Sequence, residues 1–169
     1  MIHNFYATFD LVGRSVPVLT SVFIDGLIGF VFARKRGEDE SKWTNLGVHA
    51  TQTLRKWVKI SEWNFSNKLH LLVAEYHFLK GDEDRALASY HASIKAAREH
   101  RFKHEEGLAE EKAGTYCLHK RRHGDAIAHF KNAKKCYEEW GAHAVAQRID
   151  EAIAILSPLC TKEMMNSKR

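Results

Sequence analysis

The segment 74–97, AEYHFLKGDEDRALASYHASIKAA, aligns with the segment 114–137, GTYCLHKRRHGDAIAHFKNAKKCY, at a fixed offset of forty positions. Three pairs of small residues and one aromatic pair share this register: Ala74 with Gly114, Ala86 with Ala126, Tyr90 with Phe130, and Ser93 with Ala133. A fixed period of this length is typical of helical repeats, in which each unit buries its apolar face against its neighbours.

This order of small, small, aromatic and small residues is the tetratricopeptide pattern. Its small residues let the two helices of a hairpin approach closely, and its aromatic residue fills the gap toward the next hairpin. A weaker copy places Ala50, Leu54 and Trp57 where Ala86, Tyr90 and Ser93 stand. The sequence therefore predicts an all-α fold, a tetratricopeptide-like solenoid of antiparallel helical hairpins.

Helical periodicity and end signals set the predicted helices. They are expected at about 4–12, 16–34, 41–61, 65–80, 83–101, 104–122, 125–139 and 142–156. Gly81-Asp82 and Gly124-Asp125 each offer a glycine that ends one helix and an aspartate that caps the start of the next. Asn64 or Ser66 can cap the N-terminus of the helix that begins before Leu69. We expect Ser157-Pro158 to end the last helix.

These helices predict one repeat domain over residues 1–160. It comprises about three hairpins, at 16–61, 65–101 and 104–139, and a capping helix at 142–156. The tail 161–169 is polar and is predicted to be disordered.

Composition supports a helical, reduced, non-membrane protein. The only prolines are Pro17 and Pro158, so a long stretch lacks the residue that most disfavours helices. The three cysteines have no paired spacing, which predicts free thiols and a cytoplasmic location. The apolar run 16–33 carries Asp25 near its middle, which favours a buried helix over a membrane span. Apolar surface left exposed on 16–34 would predict self-association.

The net charge of +5 raises the question of nucleic-acid binding. Its densest basic cluster, Lys120 to His123, lies at a predicted helix end, where cations are favourable. Aromatic residues do not interleave with that cluster, as a stacking platform for bases would require. Charge patterning thus argues against nucleic acid as the partner.

About residues 41–156 of this chain resemble one protein family. The specific elements are Trp57 with Asn64-Phe65, Lys68 and Glu75, then Glu106 with Leu108-Ala109 and Glu111, then Cys136-Tyr137 with Trp140-Gly141-Ala142. This order resembles the helical-repeat segment of large multidomain signalling ATPases of the predicted AAA or STAND type. In many members sensor and histidine-kinase domains follow, and often a serine-threonine kinase domain leads.

The chain has neither a GxxxxGK[ST] phosphate loop nor kinase signatures. The resemblance therefore implies only the role of the repeats, in a fragment or a free-standing remnant of such a protein.

Candidate catalytic and metal-binding patterns are weak. His119 and His123 are four apart, as are His100 and His104, but no HExxH motif accompanies them. The pairs Glu105-Glu106 and Glu110-Glu111 are interpreted as a solvated, salt-bridged helix face. We expect no enzyme activity, no cofactor and no metal.

The predicted binding surface is the concave face, which the first helix of each hairpin lines in tetratricopeptide-like arrays. It would present Lys68, Leu72, Glu75, Phe78 and Leu79 from one hairpin, and Leu108, Glu111, Lys112, Thr115 and His119 from the next. Glu75 occupies the place of the asparagine that carboxylate-clamping tetratricopeptide proteins require, so a helix or extended peptide with apolar anchors fits better.

The leading hypothesis is a non-catalytic interaction or regulatory module that binds a protein, a peptide or a neighbouring domain of a longer parent chain. The alternatives are a free-standing tetratricopeptide-like scaffold and, from another class, a helical-repeat protein that contacts nucleic acid.

Overall fold

A computed structural model describes residues 16–35, 37 and 39–166, and over these residues all regular structure is α-helical, without a strand. The helices are α1 (Val16–Ala33), α2 (Glu40–Val58), α3 (Glu62–Lys80), α4 (Glu83–Glu99), α5 (Lys103–His119), α6 (His123–Trp140) and α7 (His143–Asn166). The predicted all-α class is confirmed. The helix predicted at 4–12 lies outside the described residues.

Each helix packs chiefly on its neighbours in the sequence. Glycines mark where neighbouring helices pack closely. A Cβ added at Gly29 would lie 2.7 Å from the backbone nitrogen of Gly47, and one added at Gly107 would lie 3.2 Å from the Tyr137 ring. Because the start of α5 thus meets the end of α6, this pair is antiparallel. The predicted hairpins at 16–61, 65–101 and 104–139 correspond to the packed pairs α1–α2, α3–α4 and α5–α6.

The residues forty positions apart occupy the core. Ala86 and Ala126 are both fully buried, as is Tyr90, and Phe130 is 6% exposed. A Cβ added at Gly114 would lie 2.7 Å from the Phe130 ring, so the aromatic side chain packs directly on the glycine backbone. The predicted burial of these crossings is confirmed.

The turn between α3 and α4 has the predicted chemistry. Gly81 adopts the left-handed conformation with φ of 75°, which glycine tolerates best. The Asp82 carboxylate caps α4 by accepting a hydrogen bond of 3.2 Å from the backbone N–H of Arg85.

The turn between α5 and α6 differs from its prediction. Helix α6 begins at His123, so Gly124-Asp125 lies in its first turn rather than at a cap. Arg121 takes the left-handed conformation instead, with φ of 58°, and the Arg122 N–H closes the turn on the Cys117 carbonyl at 2.9 Å. The Asp125 carboxylate pairs with Arg122 at 2.7 Å.

The predicted caps of α3 are wrong. The helix begins at Glu62, after Ser61, and the Asn64 amide donates to the Ser61 hydroxyl at 3.0 Å. Ser66 is buried inside the helix. Trp63, which falls between the predicted helices at 41–61 and 65–80, therefore lies in the first turn of α3.

Helix α7 does not end at Ser157-Pro158, as predicted, but continues to Asn166. Proline lacks the N–H that would bond the carbonyl of Ala154, but Ala154 is exposed, so water can satisfy that carbonyl. The Ser157 hydroxyl donates to the Ile153 carbonyl at 2.8 Å. Residues 161–166 of the predicted disordered tail are thus helical, and 167–169 lie outside the described residues.

Helix α1 carries a stripe of half-exposed apolar side chains. Ile24, Ile28 and Phe32 recur every four residues on one face, and each is close to 40% exposed. Phe32 stacks on Trp43 with ring centroids 4.9 Å apart. Within the described ranges, no helix combines the length and apolar character needed to cross a bilayer.

Candidate interaction surface

The predicted concave face divides into buried and accessible parts. On α3, Leu72 is fully buried and Glu75 is 1% exposed, so neither can contact a partner. Helix α1 covers Leu72, since a Cβ added at Gly26 would lie 2.5 Å from that side chain. The prediction that Leu72 and Glu75 line an open groove is wrong.

The Glu75 carboxylate holds three helices together. It pairs with the Arg34 guanidinium beyond the end of α1 at 2.7 Å and accepts a hydrogen bond of 2.8 Å from the Tyr90 hydroxyl on α4. Burial, with the nearby Glu75 charge, raises the pKa of Tyr90 well above its usual value. Because a buried charge is costly unless paired, these contacts assign Glu75 a structural role.

Glu111 is the centre of a second Tyr–Glu–Arg cluster. Its carboxylate accepts hydrogen bonds from the Tyr137 hydroxyl at 2.9 Å and from Arg148 of α7 at 2.8 Å. Burial raises the pKa of Tyr137, and the Glu111 charge adds to that shift. Glu111 therefore links α5 to α6 and α7, and its oxygens are already engaged.

Lys68 is also engaged within the protein. Its ammonium lies 2.6 Å from the Glu105 carboxylate and donates to the Asn64 carbonyl at 3.0 Å. The Asn67 amide donates to the same Glu105 carboxylate. With 16% of its side chain exposed, Lys68 is a poor contact for a partner.

The accessible part of the predicted face lies on α5. Its apolar end, Leu108, is half-buried, and Lys112, Thr115 and His119 follow it on one helical face. At the far end the His119 ring meets Phe78 of α3, with centroids 5.1 Å apart. We name Leu108, Lys112, Thr115, His119 and Phe78 the α5 strip.

The charge of the α5 strip is positive. Lys112 has no ion pair with any residue in the described part of the chain. The Arg34 guanidinium lies over the Phe78 ring, 4.2 Å from its centroid, as a cation–π contact. The strip thus offers a partner the apolar side chain of Leu108, the Thr115 hydroxyl, the His119 imidazole and the Lys112 ammonium.

The carboxylates expected to face solvent on α5 form a buried ionic cluster instead. Glu106 and Glu110 are 3% and 2% exposed. Arg98 of α4 pairs with Glu106 at 2.7 Å and with Glu110 at 3.4 Å, while His129 of α6 lies 2.6 Å from Glu110. The interpretation of Glu106 and Glu110 as part of a solvated helix face is therefore wrong. Cations from two other helices compensate the charge of these buried carboxylates.

This cluster makes stability depend on pH. Hydrogen bonds to the Cys117 sulfur and to Glu110 raise the pKa of His129 to about 9 from an unfolded value near 6.5. A raised histidine pKa stabilises the fold fully below the unfolded pKa, and the effect is lost as pH rises through the folded pKa. We expect the free energy of unfolding to fall by about 2 kcal/mol between about pH 6.5 and 9, since partial solvation screens the full shift.

Urea denaturation at a series of pH values measures this effect. In His129→Gln the slope over the same pH window should be nearly flat. An equal slope in the variant would assign the pH dependence to other groups.

The histidine pairs do not assemble a metal site. Over the described residues, no group of three His, Cys, Asp or Glu side chains converges on a point where an ion could sit. His100 stacks on Trp63 at 4.1 Å between centroids, and His104 stacks on Trp140 at 4.9 Å. Neither stack was predicted from the sequence. His100 and Trp140, which belong to different stacks, are forty positions apart and so share the repeat register.

No protein-family model matches this chain, and neither the curated proteins nor the solved structures contain a match to it.

Proposed function

We propose that this chain is a tetratricopeptide-like solenoid that acts as a non-catalytic interaction module, with the α5 strip as its binding surface. The observation that carries the proposal is the repeat of buried crossings: Ala86 and Ala126 are fully buried forty positions apart, each next to an aromatic residue four positions on. Stacked hairpins of this kind present the outer side of successive helices as one extended surface.

The strip suits a helical or extended peptide with acidic and apolar side chains. Leu108 and Phe78 would provide apolar contact area, while Lys112, which has no ion pair among the described residues, favours a negatively charged partner. A neighbouring domain of a longer signalling protein is the partner that the family resemblance suggests.

The test is selection of a random displayed peptide library against the protein, followed by affinity measurements on the selected peptides. Thr115→Arg places a long side chain in the middle of the strip without burying it, because Thr115 is exposed. We expect this change to weaken binding of the selected peptides about tenfold or more.

The matched control is Lys95→Glu on α4, whose side chain is 77% exposed and lies away from the strip. It should leave peptide affinity unchanged. Selected peptides that bind Thr115→Arg as tightly as the original protein would refute the α5 strip as the binding surface.

A further inference from the structure

A cleft lies between α2 and α3, next to the start of α4. The cleft has a volume of about 400 Å³. It is lined by Val48, Thr51, Gln52, Arg55, Val73, Tyr76, His77 and Arg85. None of these residues belongs to the α5 strip, so the cleft is a separate feature of the surface.

The lining of the cleft is rich in cations. Arg55 is exposed and has no ion pair with the other described residues. Arg85, with 74% of its side chain exposed, lies 3.5 Å from one oxygen of Asp82, and His77 lies 3.6 Å from the same oxygen. A single carboxylate therefore serves two basic groups, while its other oxygen caps α4.

Two other acidic side chains, Glu83 and Asp84, stand at the start of α4, and neither lines the cleft. The Glu83 carboxylate pairs with Lys120 of the α5–α6 turn at 2.5 Å. On the α3 side, the Lys80 ammonium lies 5.7 Å from the centroid of the Tyr76 ring and adds a further cation next to the cleft. The local charge around the cleft is therefore positive.

The rest of the lining is aliphatic or hydrogen-bonding. Val48 and Val73 are half-buried and provide an apolar floor, and the Gln52 amide can donate hydrogen bonds. The Tyr76 ring already packs against Phe30, with centroids 5.9 Å apart. A single ring that is used in this way does not form the series of stacking faces that single-stranded nucleic acid requires.

We propose that this cleft binds a carboxylate side chain of an acidic peptide segment, with Arg55 and Arg85 as the residues that recognise it. Guanidinium groups bind carboxylates through paired, charge-assisted hydrogen bonds, and the valine floor would take an aliphatic neighbour of the acidic residue. The site goes beyond the proposed function, because it gives the protein a second peptide contact on a different face.

The experiment is fluorescence anisotropy with a labelled short peptide in which glutamate alternates with leucine, at near-physiological salt. We expect saturable binding, and a loss of about tenfold in affinity for Arg55→Glu and for Arg85→Glu. The peptide with glutamine in place of glutamate should not bind. Lys95→Glu, the same charge reversal at an exposed site on α4, should bind the acidic peptide normally.

Three outcomes would overturn the proposal. The first is equal binding of the glutamine peptide, and the second is an equal loss of affinity in Lys95→Glu, which would show non-specific attraction. The third is a single-stranded oligonucleotide that binds more tightly than the peptide and depends on the same two arginines, which would make the cleft a nucleic-acid site.

Thr115→Arg separates this site from the α5 strip. If that change weakens binding of the glutamate peptide while Arg55→Glu does not, the peptide occupies the strip, and the cleft proposal fails while the proposed function stands. Far-UV circular dichroism of each variant confirms that the helices are intact. Arg55→Gln, which removes the charge without reversing it, should show a smaller loss in the same direction.

Discussion

Truncation of Tyr90 to alanine is expected to lower the free energy of unfolding by about 4 kcal/mol, a loss that chemical denaturation measures directly. The side chain is fully buried, and its ring lies 5.5 Å from that of Tyr116 between centroids. Alanine would leave a cavity where α3, α4 and α5 meet. It would also remove the hydroxyl that bonds the buried Glu75 carboxylate at 2.8 Å.

Tyr90→Phe separates these two contributions. It keeps the ring and removes only the hydroxyl, so we expect a loss of about 1–2 kcal/mol from the unsatisfied Glu75 oxygen. If phenylalanine proved as costly as alanine, the hydrogen bond rather than the packed volume would dominate at this position.

Gly29→Ala is expected to cost about 3 kcal/mol, although alanine is the better helix former. The new Cβ would lie 2.7 Å from the Gly47 nitrogen and 2.7 Å from the Trp43 carbonyl oxygen. Both atoms belong to the backbone of α2 and cannot rotate away, so α1 would have to move. Thermal and chemical denaturation should both register the loss.

The matched control is Gly37→Ala in the connection between α1 and α2. A Cβ added there meets no described atom within 4 Å. Its stability should change by less than about 0.5 kcal/mol. A Gly29→Ala protein as stable as this control would show that α1 and α2 can separate without cost.

The helices and their crossings could be predicted because the small and aromatic residues that form the crossings recur at a fixed spacing along the sequence. Ala86 and Ala126 share one register with Tyr90 and Phe130, and that register is visible without knowledge of any neighbour. Helix ends were less predictable. At the α5–α6 turn an arginine, Arg121, adopts a left-handed conformation that the sequence pattern assigned to Gly124.

The accessible part of the proposed binding face was only partly predicted, because burial depends on helices that are distant in the sequence. Leu72 and Glu75 have the spacing of an exposed face, yet both are buried. Helix α1 covers Leu72, whereas Arg34 and Tyr90 engage the Glu75 carboxylate. The same reason explains Glu106 and Glu110, which look like surface carboxylates until Arg98 and His129 are placed against them. Polar residues whose partners lie on other helices give no periodic signal.

The cleft that contains Arg55 and Arg85 was missed for a related reason. Its lining comes from three helices, and each helix contributes only one to four residues. A single arginine on an exposed helix face is ordinary in a sequence with 26 lysines and arginines. Only the packing of α2 and α4 on α3 brings these cations to one concavity.

The packing of each helix on its neighbours in the sequence has a kinetic consequence. Most contacts join segments separated by short loops, so little chain entropy is lost when each contact closes. Proteins with such a low contact order form structure rapidly. During synthesis, α3 and α4 could therefore pair before the ribosome has completed α7, and the growing chain would bury its apolar residues as they emerge.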